Sequence, residues 1–472
     1  MARGTRVQRK YKLPGGKSRK MLNVKIAAFF IMMLIFGVIA LIIPLRPTES
    51  VVEKRELTKF PEFSFQALAD GSYFKQVDLW FSDTFPFRDA FTSANARLKS
   101  LYGIHPATVH GEVTTGDAIP EKPTKPVSSN GSSNASSQAS SASSASSAES
   151  SSSEASSKEE KPIPTTTLNA VLLAGDSAFE YYNFNLEVAD QYAATVNNIT
   201  QKLQGKAVVY DMIVPTSIDI MLPESTRAGL NTDDQKKAID YMYGSMLDET
   251  KKVNIYDTLM SHNDEYLYFR TDHHWTALGA YYAYEEFAKA KGVKPLPLSK
   301  YEKVDFPDFL GSFYADTEKN PALEQNPDVV EAYIPPDTND ITCTQSDGSI
   351  LEWKIVYDAT DYSSSLKYNC FIGGDQPISV IHNPNKKDGS SCVVVKESFG
   401  NAFVPFLVSH YQTVYVVDYR YWEGSISQLV AEKGIQDVIL CNNISATRSG
   451  ALVDAMAVSY THLRAHETSQ DL

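Results

Sequence analysis

The pattern of apolar and polar residues first marks one long apolar stretch near the start of the chain. Residues 26–45, IAAFFIMMLIFGVIALIIPL, contain no charged side chain, and a helix of that length spans ~30 Å, the thickness of the hydrocarbon core of a bilayer. Residues 1–25 carry nine Lys and Arg residues and no acid, which predicts that they form a basic cytoplasmic tail. A cleaved signal peptide would have a shorter apolar region and a small-residue cleavage site. We therefore predict an uncleaved, single-pass anchor at 26–45, with the rest of the chain outside the cell membrane.

Two segments with different patterns follow the predicted anchor. Residues 46–126 are rich in aromatic side chains and partly helical in their periodicity, so we predict a membrane-proximal helical segment there. Between Ser128 and Ser157, eighteen of thirty residues are serine. Such a sequence cannot bury enough apolar area to offset the entropy lost on ordering. We predict a disordered Ser/Ala-rich linker at 127–162.

From residue 163 the pattern changes to alternating short apolar runs and amphipathic stretches. Predicted strands lie at 169–175, 206–215, 391–396, 413–419 and 437–442, and predicted helices lie at 185–205, 401–410 and 425–434. Such alternation is typical of an α/β fold with a mostly parallel sheet between two layers of helices. We expect a three-layer domain at 163–457, and a site where loops leave the carboxyl ends of its strands.

The last residues break this pattern abruptly. The stretch VSYTHLRAHET, which begins at residue 458, resembles the translation of an adapter used in transposon-based sequencing libraries. We interpret residues 458–472 as an artefact of sequence assembly, so His462 and His466 receive no functional weight.

Charge and cysteine content narrow the classes of function. The net charge is −13, and because residues 1–25 contribute +9, the remainder carries −22; such an acidic exported portion argues against nucleic acid as a partner. The four cysteines lie in that portion, where disulfides are permitted. Cys392 and Cys441 stand in apolar runs typical of buried thiols, whereas Cys343 and Cys370 are left open between a bridge and two thiols. No cysteine or histidine spacing indicates zinc, and we expect no metal and no other cofactor.

The stretch TDHHWT at residues 271–276 is the first candidate for chemistry. It lies between a short predicted strand and a predicted helix that starts near residue 276 and ends at Lys291 and Gly292. In extended backbone, Asp272 and His274 share one face while His273 points to the other, which disfavours a metal cluster. Asp272 is then placed to hold the far N–H of the His274 imidazole, as in a hydrolytic triad. A histidine that merely packs in the core remains an open alternative.

Two serines compete to complete such a triad. Ser177 lies in AGDSAF, which matches the Gly-Asp-Ser opening of SGNH esterases, but the residues after it do not predict a helix. Ser398 directly follows the predicted strand 391–396 and precedes a predicted helix, the arrangement of a nucleophile on a sharp strand-to-helix turn. Backbone N–H groups at that helix start, with Gly400 for the tight turn and Asn401 as a side-chain donor, are the candidates for stabilising an oxyanion. These arguments favour Ser398.

Taken together, TDHHWT and KESFGNAFVPFL with YQTVYVVDYRYW resemble the DHHW family of bacterial cell-surface proteins. They are more distantly similar to the SGNH hydrolase-like domains of the alginate O-acetylation proteins AlgX and AlgJ. The resemblance implies Asp272, His274 and Ser398 as catalytic residues, with Ser177 in a domain-opening turn. It further implies that Arg420 and Tyr421 lie near the site and that Trp275 gives aromatic support. Lys396 and Glu397 stand where the distant relatives have Gly-Asp before the serine.

The resemblance also implies a function. We expect a membrane-anchored, extracytoplasmic acyltransferase that O-acetylates a cell-surface polysaccharide through a serine nucleophile, with a membrane-bound O-acyltransferase supplying the acetyl group. Two alternatives stay open at this point. A carbohydrate esterase would use the same three residues with water as acceptor, and an envelope or glycan-binding protein would have a degenerate, non-catalytic site.

Overall fold

The computed structural model describes parts of residues 24–68, residues 72–85 and 107–123, and residues 170–460. The chain divides into two units, Met1–Leu101 and Tyr102–Leu472. Most of the predicted anchor at 26–45 and all of the predicted linker at 127–162 lie outside the described residues. Within the described part of the chain, no helix is both long and apolar enough to cross a membrane. The anchor and the linker therefore stay predictions.

The described part of the first unit contains three elements, which are strand β1 (Glu49–Ser50), strand β2 (Arg55–Glu56) and helix α1 (Ser72–Asp83). The two strands pair antiparallel. Phe60 packs edge-on against Trp80 of the helix, with ring centroids 4.8 Å apart. The helical character predicted for 46–126 is thus present at α1.

The second unit contains thirteen strands in its described residues. They are β3 (Thr108–His110), β4 (Val171–Ala174), β5 (Ser177–Glu180), β6 (Val208–Val214), β7 (Lys251–Lys252), β8 (Glu302–Phe309), β9 (Asp328–Ile334), β10 (Asp340–Thr344), β11 (Ile350–Lys354), β12 (Ile378–His382), β13 (Ser391–Lys396), β14 (Thr413–Asp418) and β15 (Asp437–Asn443).

Helices connect these strands. The α-helices are α2 (Leu186–Leu203), α3 (Ser217–Ile220), α4 (Glu224–Arg227), α5 (Gln235–Gly244), α6 (Tyr256–Ser261), α7 (Ala277–Lys291), α8 (Ser312–Asp316), α9 (Pro321–Glu324), α10 (Gly400–Phe403), α11 (Ile426–Lys433) and α12 (Gly450–Val458). Short 3-10 helices lie at Leu298–Lys300, Ser364–Cys370, Val404–Leu407 and Ile444–Arg448.

The large sheet has eight strands in the order β11-β10-β12-β14-β13-β15-β6-β7. From β14 to β7 every neighbouring pair is parallel, as the alternating pattern predicts. The other three strands, β12, β10 and β11, pair antiparallel, so the sheet is mixed and the prediction of a mostly parallel sheet holds only for its central part. The short turn at residues 345–349 joins β10 to β11, and a connection that short permits only antiparallel pairing.

Helices cover both faces of the central strands. All six residues of β13 and all seven of β15 are buried, and since successive side chains in a strand point to opposite faces, both faces of the sheet are covered. Cys392 and Cys441 lie in these strands with no exposure, as their apolar surroundings predict. Cys343 and Cys370 are also buried, and all four thiols are free, so the alternative of a Cys343–Cys370 bridge is not realised.

A smaller three-stranded sheet joins distant parts of the chain. Strand β3 pairs antiparallel with β4, and β4 pairs with β5. Asp117 also accepts from the backbone N–H of Leu186 at the start of α2. Residues 107–123 thus belong to the same unit as residues 170–460, although the sequence places them with the membrane-proximal segment.

Two helix ends differ from the sequence prediction. The helix predicted at 401–410 is divided into α10 and a 3-10 helix that contains Pro405, because proline has no N–H to donate back to the preceding turn. At the C-terminus, α12 ends at Val458, and the buried Ser459 accepts a hydrogen bond from the backbone N–H of Ile426. The fold therefore continues to Tyr460, three residues into the segment interpreted as an artefact. Residues 461–472 lie outside the described residues.

Candidate active site

Asp272, His274 and Ser398 form one continuous chain of hydrogen bonds. The distance from His274 Nδ1 to Asp272 Oδ1 is 2.6 Å, and the distance from His274 Nε2 to Ser398 Oγ is 2.7 Å. A carboxylate can only accept, so the imidazole donates its Nδ1–H to Asp272 and its Nε2 accepts the proton of the serine hydroxyl. The structure thus brings Ser398 to Asp272 and His274, although the sequence separates the serine from His274 by 124 positions.

The sheet and the start of a helix position the two halves of this chain. Ser398 follows the carboxyl end of the buried strand β13, next to the carboxyl ends of β14 and β15. The segment before α7 folds into a tight loop, closed by a bridge between Tyr268 and Trp275 and by the backbone hydrogen bond from Phe269 N to His274 O. The side chain of Thr276 then caps the first turn of α7.

His273 does not point away from its neighbours as strand alternation predicts. Residues 271–274 form a series of bends and not a strand, so the rings of His273 and His274 lie 3.9 Å apart. One ligand atom from each of Asp272, His273 and His274 lies within 4.8 Å of the others. The geometric argument against a metal cluster is therefore wrong. Both nitrogens of His274 are engaged, one by the Asp272 carboxylate and the other by the Ser398 hydroxyl. His273 Nε2 is therefore the nitrogen of the two histidines that remains for binding a metal ion.

Burial and hydrogen bonds set the protonation states of Asp272 and His273, the two neighbours of His274. Burial acts to raise the pKa of Asp272, but the attraction of His274 and His273 and the N–H of Ser312 outweigh it, so the pKa lies well below its usual range. Burial lowers the pKa of His273 to about 3, and the neighbouring His274 ring adds to this shift. Asp272 is thus an anion at neutral pH, and His273 is a neutral ring whose Nδ1 lies 2.7 Å from Ser312 Oγ.

Residues 311 and 312 hold the second oxygen of Asp272. The backbone N–H of Ser312 donates to Asp272 Oδ2 at 2.8 Å. The chain approaches so closely that a Cβ atom on Gly311 would lie 2.2 Å from that oxygen and 2.3 Å from Asp272 Cβ. Only glycine fits at this position without displacing the carboxylate.

Trp275 and Tyr368 hold the turn that carries Ser398. The buried Trp275 Nε1–H donates to the carbonyl of Phe399 at 2.9 Å, and the Tyr368 hydroxyl donates to the carbonyl of Ser398 at 3.0 Å. The ring of Tyr368 also stacks on His274, with centroids 4.0 Å apart and planes inclined by 16°. These contacts restrict both the imidazole and the serine backbone, and a supporting role of Trp275 in the reaction stays a prediction.

Lys396 and Glu397, the departure from Gly-Asp, are both accommodated in the interior. Glu397 accepts the backbone N–H groups of Phe399 and Asn443 and lies 3.3 Å from Ser398 Oγ; burial raises the pKa of its carboxyl. Lys396 Nζ donates to Asp375 and Asp418, each at 3.0 Å. Gly400 allows this arrangement, because a Cβ there would lie 2.5 Å from Lys396 Cβ.

Arg420 and Asn401 are committed to the same buried cluster. The Arg420 guanidinium binds Asp418 through Nε and NH2 and reaches Asp375 at 2.8 Å. Asn401 Nδ2 donates to Asp375 at 2.9 Å. The Tyr421 ring lies beneath the guanidinium, with 5.2 Å from Arg420 Cζ to the ring centroid. These residues lie beside the Ser398 turn, while oxyanion or sugar contacts from Gly400, Asn401, Arg420 or Tyr421 stay predictions.

Ser177 lies in a different environment. It begins β5 directly after a tight turn in which Gly175 has a φ of +68°. Its hydroxyl donates to the neighbouring Asp176 at 3.2 Å. Among the described residues, no imidazole forms a hydrogen bond with the Ser177 hydroxyl. The segment that Ser177 begins is a strand and not a helix.

Sequence analysis missed Tyr368, Gly311, Ser312 and Asp375. The first three act through contacts that the fold creates with segments 35 or more residues from the motif. A single signal was available for Gly311, which stands before the short helix α8, but a lone glycine before a helix is common.

The sequence description of the DHHW family, "DHHW protein", matches residues 53–156 and 151–417. This chain belongs to the DHHW family. The resemblance inferred from TDHHWT and KESFGNAF is thereby confirmed. None of the curated proteins compared with the sequence matches it.

Two solved structures with TM-scores above 0.5 show the same fold. A DHHW family protein from Eubacterium siraeum is 28% identical, with a TM-score of 0.56, and the match covers 63% of this chain and 97% of that protein. Bacillus cereus PatB1 is 19% identical, with a TM-score of 0.52 and coverage of 60% and 97%. The O-acetyltransferase domain of Pseudomonas putida AlgJ is 12% identical, with a TM-score of 0.34 and coverage of 61% and 99%. The likenesses to the Eubacterium siraeum protein and to PatB1 concern the fold and not the reaction.

Proposed function

We propose that this protein is a membrane-anchored, extracytoplasmic acyltransferase that O-acetylates a cell-surface polysaccharide. The observation that carries the proposal is the hydrogen-bond chain from Asp272 through His274 to Ser398, with distances of 2.6 and 2.7 Å. An imidazole that accepts the hydroxyl proton, and is itself held by a buried carboxylate, is the arrangement that activates a serine for attack on an acyl group.

In the first half of the reaction Ser398 takes up the acetyl group. As Oγ attacks the carbonyl carbon of the donor, its proton moves to His274 Nε2, and the new positive charge of the ring is balanced by Asp272. The bond to the donor's leaving group then breaks, and the leaving group takes the proton from Nε2. The products are an acetyl ester on Ser398, a neutral His274 and the protonated leaving group.

In the second half a sugar hydroxyl replaces the donor. His274 Nε2 takes the proton of that hydroxyl while its oxygen attacks the ester on Ser398. When the tetrahedral intermediate collapses, Ser398 Oγ leaves and recovers its proton from His274. The sugar carries the acetyl ester, and the enzyme returns to its starting state.

The predicted topology determines how the donor is supplied. If residues 26–45 anchor the chain with its site outside the membrane, cytoplasmic acetyl-CoA does not reach Ser398. We propose that a membrane-bound O-acyltransferase passes the acetyl group across the membrane. Deletion of such a partner from the producing cell should abolish acetylation of the polysaccharide while leaving the reactivity of Ser398 unchanged.

The structure of PatB1 with a sulfonyl adduct suggests the type of reagent for a direct test. Sulfonyl and phosphonyl fluorides react with activated serine hydroxyls. We expect the full-length protein in detergent to be labelled by a fluorophosphonate at Ser398. Ser398→Ala should abolish the labelling, and Ser177→Ala, the matched control, should retain it. Labelling of the Ser398→Ala protein at the wild-type rate would remove Ser398 from the mechanism.

Incubation with 4-nitrophenyl acetate and a neutral oligosaccharide separates transfer from hydrolysis. Acetyl ester on the oligosaccharide, detected by mass spectrometry, is the expected product. Acetate released to water at the same rate with and without oligosaccharide would replace the transferase by an esterase. Absence of both labelling and nitrophenol release from the folded protein would leave a glycan-binding role.

A further inference from the structure

A pocket of about 270 Å³ lies at the edge strand β11 of the large sheet. Its lining includes Trp353, Tyr362, Leu366, Asn369, Gly373 and Gln376. The lining therefore combines aromatic rings with two side-chain amides. Of the described residues that line it, none carries a charge.

Three aromatic rings form one stacked series at this pocket. Trp353 and Tyr357 lie 4.3 Å apart with planes inclined by 14°, and Tyr357 and Tyr362 lie 5.7 Å apart with planes inclined by 28°. Gly373, with a φ of +73°, lets the backbone approach the indole, because a Cβ there would lie 3.0 Å from Trp353 Cδ1. The position of the indole is thus fixed before any ligand binds.

The indole N–H of Trp353 is buried and, among the described residues, has no hydrogen-bond partner. A tryptophan offers a donor and no acceptor, and a buried donor without a partner is destabilising. Because this N–H is closed off from solvent, a ligand oxygen reaches it only when the neighbouring segment around Gly373 shifts on binding. The pocket therefore suits a molecule that presents both an apolar face and an oxygen acceptor.

We propose that this pocket binds one neutral sugar ring of the polysaccharide, and this inference rests on the proposed function. A pyranose has C–H faces that pack on aromatic rings and hydroxyls that hydrogen-bond amides such as Asn369 and Gln376. The volume lies just below the range of ~300–1,000 Å³ that is usual for small-molecule sites, so it suits one ring and not several. Because no cationic side chain of the described residues lines the pocket, the ring is uncharged.

The pocket and the catalytic residues share one segment of chain. Tyr368, which stacks on His274, is followed directly by the pocket residue Asn369. Asp375, which binds Lys396 and Arg420, is followed directly by the pocket residue Gln376. Since consecutive Cα atoms lie only ~3.8 Å apart, one short chain segment carries residues of both the pocket and the surroundings of Ser398. We assign the pocket as a subsite that positions the acceptor chain.

The experiment measures binding without turnover. Full-length Ser398→Ala protein in detergent is titrated calorimetrically with chitohexaose, cellohexaose and mannohexaose. We expect at least one of these neutral hexasaccharides to bind, and adding Trp353→Ala should weaken that binding at least tenfold. Trp353→Phe, which keeps a ring and removes the N–H, should have a smaller effect. Ile350→Ala is the matched control, since Ile350 lies on the same strand, is 71% exposed and is not among the pocket's lining residues.

Three results would overturn the subsite. These are no binding of any neutral hexasaccharide, equal affinity in the Trp353→Ala protein, and a preference for an anionic oligogalacturonate. Failure of the proposed function is distinguishable from these, because it appears as absent fluorophosphonate labelling of the wild-type protein. A protein that binds sugar through Trp353 and is not labelled would keep the subsite and lose the enzyme.

Discussion

Replacement of Gly311 by alanine tests whether the position of Asp272 controls the reactivity of Ser398. Within the described part of the chain, Gly311 forms no hydrogen bond with His274 or Ser398. Its effect is steric, because the added Cβ would lie 2.2 Å from Asp272 Oδ2 and 2.5 Å from Asp272 Cγ. Ordinary contacts between such atoms are about 3.5 Å. Either the carboxylate or the 311–312 backbone must therefore move by about 1 Å.

A displacement of that size has a predictable effect on rate. Misplacement of a catalytic group by about 1 Å costs ~100-fold, so we expect the fluorophosphonate labelling rate at Ser398 to fall by about that factor. Overpacking costs about 1–3 kcal/mol of unfolding free energy, which a domain of ordinary stability survives. The melting temperature should fall, but the protein should stay folded at 25 °C.

Gly229→Ala is the matched control for this variant. A Cβ on Gly229 meets only the carbonyl of Thr226, at 3.8 Å, so both labelling and melting temperature should remain close to those of the wild type. Wild-type labelling by a folded Gly311→Ala protein would refute the reasoning, because Asp272 would then not act on Ser398 through His274. If Gly311→Ala fails to fold, Asp272→Asn tests the same link with almost no change in volume and should lose at least as much labelling.

Variants at three further residues test other contacts. Trp275→Phe removes the N–H that binds the buried carbonyl of Phe399 and should lower the unfolding free energy by about 1–3 kcal/mol in urea denaturation. Tyr368→Phe keeps the ring stacked on His274 and should slow labelling by less than tenfold, whereas Tyr368→Ala should slow it more. Burial raises the pKa of Asp211 to about 7, above its unfolded value of about 4. The stability that protonated Asp211 contributes is therefore complete below pH 4 and is lost as the pH rises through about 7. Asp211→Asn should remove this dependence of the unfolding free energy on pH. At pH 8 the unfolding free energy of the variant should exceed that of the wild type by up to about 4 kcal/mol. Urea unfolding at pH 5 and pH 8 measures the difference.

The central strands were predictable because their chemistry is local. The run SCVVVK is apolar at nearly every position, and a strand buried on both faces has to be. The same run fixes Ser398 at the carboxyl end of a strand, and Pro405 limits the helix that follows. The relation between Ser398 and the TDHHWT motif rested on the strand-to-helix turn at Ser398 and on the resemblance to a family, since nothing local to either stretch indicates the other.

The antiparallel part of the sheet was not predictable in the same way. Strand β11 alternates exposed and half-buried residues, and β10 is only partly buried, so neither has the strong apolar run of β13. The 3-10 helix Ser364–Cys370 has no helical periodicity that could mark it. Tyr368 belongs to this region, and its stacking on His274 depends on a packing of segments that no pattern in the sequence reveals.

His273 shows the limit of arguments from alternation. The rule that residues i and i+2 share a face requires an extended backbone, and residues 271–274 are a series of bends. The conclusion that Asp272 and His274 meet was right, because the Asp272 carboxylate also accepts the backbone N–H of His274 at 2.9 Å. The conclusion that His273 points away was wrong, because the bend that brings the Asp272 carboxylate to the His274 N–H also brings the His273 and His274 rings together.

The Lys396-Glu397 pair places charge beneath the candidate nucleophile without leaving it unbalanced. Lys396 and Arg420 face Asp375 and Asp418, so two cations meet two anions in a cluster that is almost closed to solvent. Burial acts to lower the pKa of Lys396, but the two carboxylates outweigh it and raise that pKa. Lys396 is therefore a cation, and its charge is balanced by Asp375 and Asp418. Since a buried charge is tolerated only with partners, the lysine in place of glycine is compatible with a reactive Ser398 because the rest of the cluster, Asp375 above all, is present to receive it.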